Sequence, residues 1–269
     1  MSWFNERYED GSEDSSNPTE LSRKGQALSR LFDRQVKTLL TKRFPKLAGL
    51  EEYQFENLIE PFRNTAINDS MLSLTSRSKG KLPFLLVVPG FTVPWLWQLR
   101  KIQGFYHSHD FRWLTVHSYD GDQYFKHPYL VVGVEDGRST IGTVADKAIA
   151  QIEHEDRFPL NLDEVLALAL HAPWTLEHHP LVVGGVYCGF EARDGSGSVV
   201  TLISKSHQGR VGCPEVEDRW TKDSAWHLGM PSGKLRIHQE QIRYNLNYRK
   251  TRPADEEADP LTASENETV

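Results

Sequence analysis

The sequence has little cysteine, no long apolar run and no secretion signal, and each absence narrows what the protein can be. Its 269 residues include two cysteines, Cys188 and Cys213, too few for a disulfide scaffold and typical of a reducing compartment. The longest apolar run, residues 82–88, is far shorter than the roughly 20 residues of a membrane-spanning helix. The first residues lack the basic start and apolar middle of a signal peptide. We therefore expect a cytoplasmic protein that makes no use of a membrane.

Motifs for phosphate and ester chemistry are also missing. Neither a Gly-x-Gly-x-x-Gly nor a Walker sequence occurs, and Gly184 and Gly185 lie inside an apolar stretch, which argues against a phosphate-binding loop. The Gly-x-Ser-x-Gly motif of a nucleophile elbow is absent as well. The nearest match, residues 195–197, is better explained as the tip of a hairpin.

What is present is an ordinary balance of 38% hydrophobic and 25% charged residues, with the charge unevenly placed. The formal net charge is −6, yet residues 1–20 carry six acids and one base, and residues 253–269 carry six acids and no base. The body between them is therefore mildly basic. Such polar ends cannot bury enough apolar surface to offset the entropy of ordering. We expect disordered acidic tails at 1–20 and 253–269 around a single folded domain, residues 21–233.

Apolar periodicity predicts that this domain opens with a helical hairpin. Apolar residues recur at spacings of three and four between Leu28 and Leu40, which predicts a helix that ends before Pro45. A second apolar stripe predicts a helix over about residues 51–62, and the short connection folds the pair antiparallel. Residues 65–81 are polar and read as a loop.

The rest of the body mixes strands and helices without strict alternation. Short apolar or β-branched stretches predict strands at 82–88, 111–117, 129–134, 181–187 and 199–204. A helix is expected after Pro94, because proline suits the first turn of a helix. Two more are expected after Thr143 and Asn161, because each of these two residues stands three positions before an acid, as in a capping box. Residues 209–233 read as a loop with room for one strand. The pattern favours an α+β fold with a mixed, largely antiparallel sheet.

Several segments resemble one known family. Residues 32–63, FDRQVKTLLTKRFPKLAGLEEYQFENLIEPFR, are similar to the start of an uncharacterised bacterial family, found largely in actinobacteria and known only as a domain of unknown function. Similar order and spacing continue through PFLLVVPGFTVP (83–94), HPYLVVGVEDGRST (127–140) and PLNLDEVLALALHAPWTLE (159–177), and the likeness spans about residues 31–233. Arg43 stands where the resemblance leads us to expect a glycine. The resemblance implies a bacterial cytosolic protein and brings with it no activity, cofactor or site residue.

Thiol and imidazole groups form the first candidate site. Cys188, His207, Cys213 and His227 are the ligand types that a tetrahedral zinc ion takes, although the close Cys-x-x-Cys spacing of structural zinc sites is absent. The alternative is two buried, inert cysteines. Cys188 with a histidine such as His207 is also the minimum for nucleophilic catalysis, because a thiolate needs a nearby base or cation.

Carboxylates form the second candidate site. Asp120 and Asp122 flank a glycine in an aromatic loop near His117 and His127, an arrangement that suits a divalent cation or acid and base roles. The alternative is an ordinary turn, in which aspartate and glycine are common. The same two interpretations apply to Glu135 with Asp136.

A basic segment near the C-terminus forms the third candidate site. Residues 234–252 hold six bases and one acid and predict a basic helix. Its members that could contact phosphates, nucleobases or acidic protein are Lys234, Arg236, Arg243, Tyr244, Tyr248, Arg249, Lys250 and Arg252. The alternative is a surface helix neutralised by the acidic tail that follows it.

Two functions follow from these candidates. The first is a non-enzymatic binding or regulatory protein that contacts an anionic partner, nucleic acid or protein, through residues 234–252. The second is an enzyme of unassigned class with a site near Asp120, Cys188 and His207. An enzyme should gather those side chains in a pocket, whereas a binding protein should show a basic or aromatic surface. Trp95 and Trp97 cannot both face inward on one helix, so one of them is a candidate for such a surface.

Overall fold

The chain folds into two β-sheets with helices packed on the larger one, in a computed structural model that describes residues 18–73, 80–106, 125–188, 198–207, 210–220 and 227–240. The helices are α1 (Pro18–Thr41), α2 (Phe44–Leu47), α3 (Glu52–Ile59), α4 (Phe62–Ser73), α5 (Trp95–Lys101), α6 (Ala145–His154), α7 (Leu162–His171) and α8 (Thr175–His178). In the described ranges, none of them is both long and apolar enough to cross a bilayer.

The strands divide between the two sheets. They are β1 (Lys81–Val87), β2 (Phe105–Tyr106), β3 (Tyr129–Glu135), β4 (Phe158–Pro159), β5 (Leu181–Cys188), β6 (Ser198–His207), β7 (Arg210–Trp220), β8 (Ser232–Gly233) and β9 (Leu235–Ile237). The larger sheet has the order β1-β3-β8-β4, and β9 also pairs with β3, all antiparallel. The second sheet has the order β2-β7-β6-β5, in which β2 alone runs parallel to its neighbour. The predicted α+β class with a mixed, largely antiparallel sheet is confirmed.

The larger sheet is the middle layer because its two main strands are apolar on both faces. Phe84 and Leu86 point to one face, where they pack with Phe32, Phe55 and other residues of α1, α3 and α4. Leu85 and Val87 point to the opposite face and pack against α7 and the second sheet. Side chains alternate along a strand, so a near-continuous apolar run is what a strand buried on both faces requires.

The N-terminal helices largely match the predicted hairpin and differ at three places. Residues 18–20, placed in the acidic tail by sequence, begin α1. The connection between the two predicted helices forms the short helix α2, which starts after Arg43. Residues 65–73, interpreted as loop, belong to α4, because buried Phe62 and Ala66 give this weakly amphipathic segment a packing face.

Most of the strands and helices predicted for the rest of the body are confirmed, and a few differ. The strands β1, β3, β5 and β6 and the helices α5, α6 and α7 lie where sequence placed them. Asn161 and Glu164 form the predicted capping box, whereas α6 starts after Val144 without a side-chain cap. Residues 210–220, in the stretch interpreted as a loop with room for one strand, form β7, which pairs with β6 along most of its length. The strand predicted at 111–117 lies outside the described residues.

The outer edge of β1 is covered by side chains. The Gln35 amide accepts a hydrogen bond from Leu86 N at 2.7 Å and donates one to Phe84 O at 3.2 Å. His171 Nε2 lies 3.2 Å from Leu86 O, and Gln98 Nε2 donates to Val88 O just beyond the strand. These bonds occupy backbone groups that a further strand would need. Because Gln35 belongs to α1 and His171 is the last residue of α7, the two helices meet over this edge of β1.

Candidate functional site

The second sheet separates the thiol and imidazole candidates. Cys188 pairs with Ser198 at one end of β6, whereas Cys213 pairs with Lys205 and His207 ends the strand. At about 3.3 Å per residue, Cys188 lies about 23 Å from the row of Cys213 and about 30 Å from that of His207. In this register the strands bring neither the two cysteines nor Cys188 and His207 into neighbouring positions, and the zinc site and the Cys188–His207 catalytic pair stay predictions. The sequence alone could not reveal this separation, because it depends on how the strands pair.

The remaining members of that set offer no metal site among the residues that the structure describes. No three His, Cys, Asp or Glu residues lie together as metal ligands there. Cys213 is buried and forms no disulfide.

The carboxylate candidates have separate outcomes. Asp120 and Asp122 lie outside the described residues. Glu135 and Asp136 build a turn: the Glu135 carboxylate accepts hydrogen bonds from the backbone N–H groups of Gly137 and Ser139, and Asp136 accepts one from Arg138 N. Their role in the described structure is the turn that sequence offered as the alternative.

The predicted basic helix is wrong at its start. Residues 235–237 form β9, which pairs with Leu130–Val132 of β3, and Lys234 lies in the bend before it. A three-residue strand is too short to give a periodic signal, and its basic residue resembled those of the segment that follows. Arg243, Tyr244, Tyr248, Arg249, Lys250 and Arg252 lie outside the described residues.

Arg236 faces the interior instead of a partner. Its Nε donates to Glu164 Oε1 at 2.6 Å and its Nη2 donates to Glu164 Oε2 at 3.0 Å. The guanidinium also lies 3.7 Å from the centre of the Phe158 ring. Glu164 is fully buried and accepts further hydrogen bonds from Tyr129 OH and Asn161 N. This bidentate pair joins β9, β3 and α7, and it is a structural contact.

Three titratable groups near the Arg236–Glu164 pair have shifted pKa values. Burial and the charge of Glu164 raise the pKa of Tyr129 well above its ordinary value. Burial raises the pKa of Asp163, at the start of α7, from 3.8 to about 6, against the opposing hydrogen bond from Gly90 N. Burial, with the Arg236 charge, lowers the pKa of His238.

An exposed surface beside this region combines aromatic rings with cations. We call it the aromatic–basic surface and define it as Phe91, Trp97, Arg100, Lys101 and Lys126. Phe91, in the loop after β1, is 69% exposed and Trp97, on α5, is 46% exposed. Lys126 Nζ lies 5.8 Å from the centre of the Phe91 ring, and Arg100 Cζ lies 4.8 Å from that of Trp97. Residues 88–106 and 125–129, which supply this surface, contain no Asp or Glu.

Trp95 and Trp97 face opposite ways, as predicted from their spacing of two residues on one helix. Trp95 packs against the core and its ring meets Tyr106 edge to face at 5.8 Å, whereas Trp97 faces outward. Phe91 and Lys126 were not singled out by sequence. The signal that could have found them is the absence of acids around the Pro89-Gly90 turn, in a protein with 37 acidic residues.

The undescribed basic segment begins close to this surface. His238 stacks on Phe125 with ring centres 3.9 Å apart and planes 22° apart, and Phe125 precedes Lys126 in the chain. Arg243 follows His238 by five residues, a stretch that spans at most about 18 Å. The chain therefore leaves the described structure, after Glu240, within reach of the aromatic–basic surface.

Comparison with known proteins identifies a family and no activity. Neither a curated protein nor a solved structure matches the chain. The model of one family, described as a family of unknown function, matches residues 38–237. The match ends at Ile237, the last residue of β9. The chain belongs to DUF5701, a family of unknown function.

Proposed function

We propose that the protein is a non-enzymatic binding protein that holds single-stranded nucleic acid on its aromatic–basic surface. The observation that carries this proposal is the pair of exposed rings, Phe91 and Trp97, each with a cation against it, in two stretches of chain that contain no acid. Exposed rings stack on unpaired bases, and neighbouring cations attract the phosphates between them. A duplex hides its base faces, so the rings favour single strands.

The point at which the described chain ends supports the same partner. Because Phe125 and His238 stack together, the bases Arg243, Arg249, Lys250 and Arg252 follow in sequence from a point beside Lys126 and could extend the electrostatic contact along the strand. Tyr244 and Tyr248 would supply further stacking. The scarcity of cysteine and the family resemblance support a bacterial cytoplasmic setting.

Binding of a fluorescent oligothymidylate of about 16 nucleotides, followed by anisotropy at several salt concentrations, tests the proposal. Phe91→Ala or Trp97→Ala should each weaken binding about 5- to 150-fold, the loss expected for one stacked base. Lys126→Gln should lower the slope of log affinity against log salt by about 0.7, the value for one phosphate contact on a single strand.

Matched variants elsewhere separate this surface from general effects. Tyr53 is 63% exposed on α3, so Tyr53→Ala removes a similar ring from another face and should leave affinity unchanged. Lys37→Gln on α1 is the matched control for charge. Absence of binding at low salt, or equal losses in Tyr53→Ala and Phe91→Ala, would contradict the proposal.

A truncation tests the C-terminal segment. The chain must end after Glu240, because an earlier end at 233 would remove β9 and the Arg236–Glu164 pair and would damage the sheet. The comparison is a chain that ends at Arg252, because residues 253–269 carry six acids and no base and their removal alone should not weaken binding. Relative to that chain, loss of residues 241–252 should weaken oligonucleotide binding and reduce its salt dependence. Unchanged binding would restrict the site to the aromatic–basic surface.

A further inference from the structure

A cleft of about 530 Å³ separates α1 from the end of α7 and from α8. Its volume falls in the range of small-molecule sites, about 300–1,000 Å³. Its apolar walls are formed by Leu31, Leu82, Leu170, Pro173 and Trp174. Trp174 is 37% exposed, so the cleft offers a ligand a large apolar contact beside the covered edge of β1.

Opposite charges stand on the two walls of this cleft. Arg34 extends from α1 and Glu177 belongs to α8, and both residues are exposed and line the cleft. Within the ranges that the structure describes, neither of them forms an ion pair. The cleft therefore offers one cation and one anion on facing elements, with apolar side chains between them.

His171 adds an imidazole ring to the wall of the cleft. Its Nε2 lies 3.2 Å from Leu86 O, and because a carbonyl only accepts, Nε2 carries the proton and donates it. Nδ1 then presents a lone pair, and this atom is buried without a hydrogen-bond partner. Burial lowers the pKa of His171 to about 4, so the ring is neutral near pH 7.

From these features we propose that the cleft binds a small zwitterion with an apolar side chain, of the class of a free hydrophobic amino acid. Glu177 would bind its ammonium group, Arg34 its carboxylate, and the apolar walls its side chain. The proposal is independent of nucleic-acid binding, since the cleft shares no residue with the aromatic–basic surface.

Calorimetric titration of the full-length protein with L-phenylalanine tests this proposal. We expect saturable binding, and Arg34→Gln and Glu177→Gln should each weaken it about tenfold or more, as for the loss of a charged hydrogen bond. Arg23→Gln, at an exposed position of α1 outside the cleft, should leave the affinity unchanged. Glycine has the same charges without the side chain and should bind more weakly than L-phenylalanine.

Altered ligands assign each charge to its partner. N-acetyl-L-phenylalanine lacks the ammonium group, so it should bind wild type weakly and be insensitive to Glu177→Gln. L-phenylalaninamide lacks the carboxylate and should be insensitive to Arg34→Gln. No saturation by any of these ligands up to about 10 mM, tenfold above a weak dissociation constant of about 1 mM, would overturn the proposal. Binding that neither Arg34→Gln nor Glu177→Gln weakens would overturn it as well.

Discussion

Arg43 occupies a backbone conformation that suits glycine, and its replacement by glycine should stabilise the protein. Its φ and ψ are 62° and 37°, in the left-handed region, where a side chain with a Cβ costs about 1–2 kcal/mol. This position precedes α2 and is where the family resemblance led us to expect glycine. The Arg43 side chain is exposed and makes no ion pair or hydrogen bond in the described part of the chain, so little is lost when it is removed.

The size of the effect follows from two opposing costs. Glycine relieves the left-handed strain, but it adds about 0.5–1 kcal/mol of backbone entropy to the unfolded chain. The net gain for Arg43→Gly should be about 0.5–1 kcal/mol in the free energy of unfolding. With a urea m-value near 2 kcal/mol/M, the midpoint of unfolding should rise by about 0.25–0.5 M.

Arg43→Ala is the matched control for this prediction. Alanine removes the same charge and side chain but keeps the Cβ and therefore the strain, so the urea midpoint should stay at the wild-type value or fall. If Arg43→Gly were no more stable than Arg43→Ala, the left-handed geometry would not be what limits stability at this turn.

Two further predictions concern the buried groups at the end of the larger sheet. The folded pKa of Asp163, about 6, lies above its ordinary value of 3.8, so its contribution to stability is full below about pH 4 and is lost as the pH rises through 6. Asp163→Asn should therefore be more stable than wild type by about 1–3 kcal/mol at pH 8 and equal to it at pH 4, and urea unfolding that shows a pH-independent difference would contradict this. Arg236→Met should cost about 3–5 kcal/mol in urea unfolding because it leaves Glu164 charged and buried, and adding Glu164→Gln should recover part of that loss. A cost near zero would mean that Arg236 is a surface residue, as its place in the predicted basic helix implied.

The parts of the fold that sequence predicted correctly are those whose signal is local. The apolar run of β1 ends at Pro89 and Gly90, and α7 begins with a capping box between Asn161 and Glu164, so each element has its own start or stop signal. No contact with distant residues is needed to recognise either of them.

The elements that sequence missed or left open are held by distant partners. The strand β7 contains Pro214 and charged residues, and it forms because it pairs with β6. The strand β9 has three residues and exists because β3 presents an open edge to it. The helix α4 needs α1 to cover Phe62. In each case tertiary pairing outweighs weak local propensity.

The candidate site was predictable only in its general character. Sequence indicated a basic, aromatic contact surface with one outward tryptophan, but it placed the contact on Lys234 and Arg236, and Arg236 is paired with Glu164. The cleft residues Arg34, His171 and Glu177 are up to 143 positions apart in the chain. Only the packing of α1 against α7 and α8 brings them together.

Photo-crosslinking tests the proposed nucleic-acid surface most directly. A single-stranded oligonucleotide with photoreactive thymidine analogues would be irradiated with the full-length protein at low salt, and the crosslinked peptides would be identified by mass spectrometry. Our account predicts adducts in residues 88–101 and 125–127, centred on Phe91 and Trp97, with Phe91→Ala reducing the yield. Adducts confined to other faces, such as the one that carries Tyr53, or no adducts at all, would contradict it.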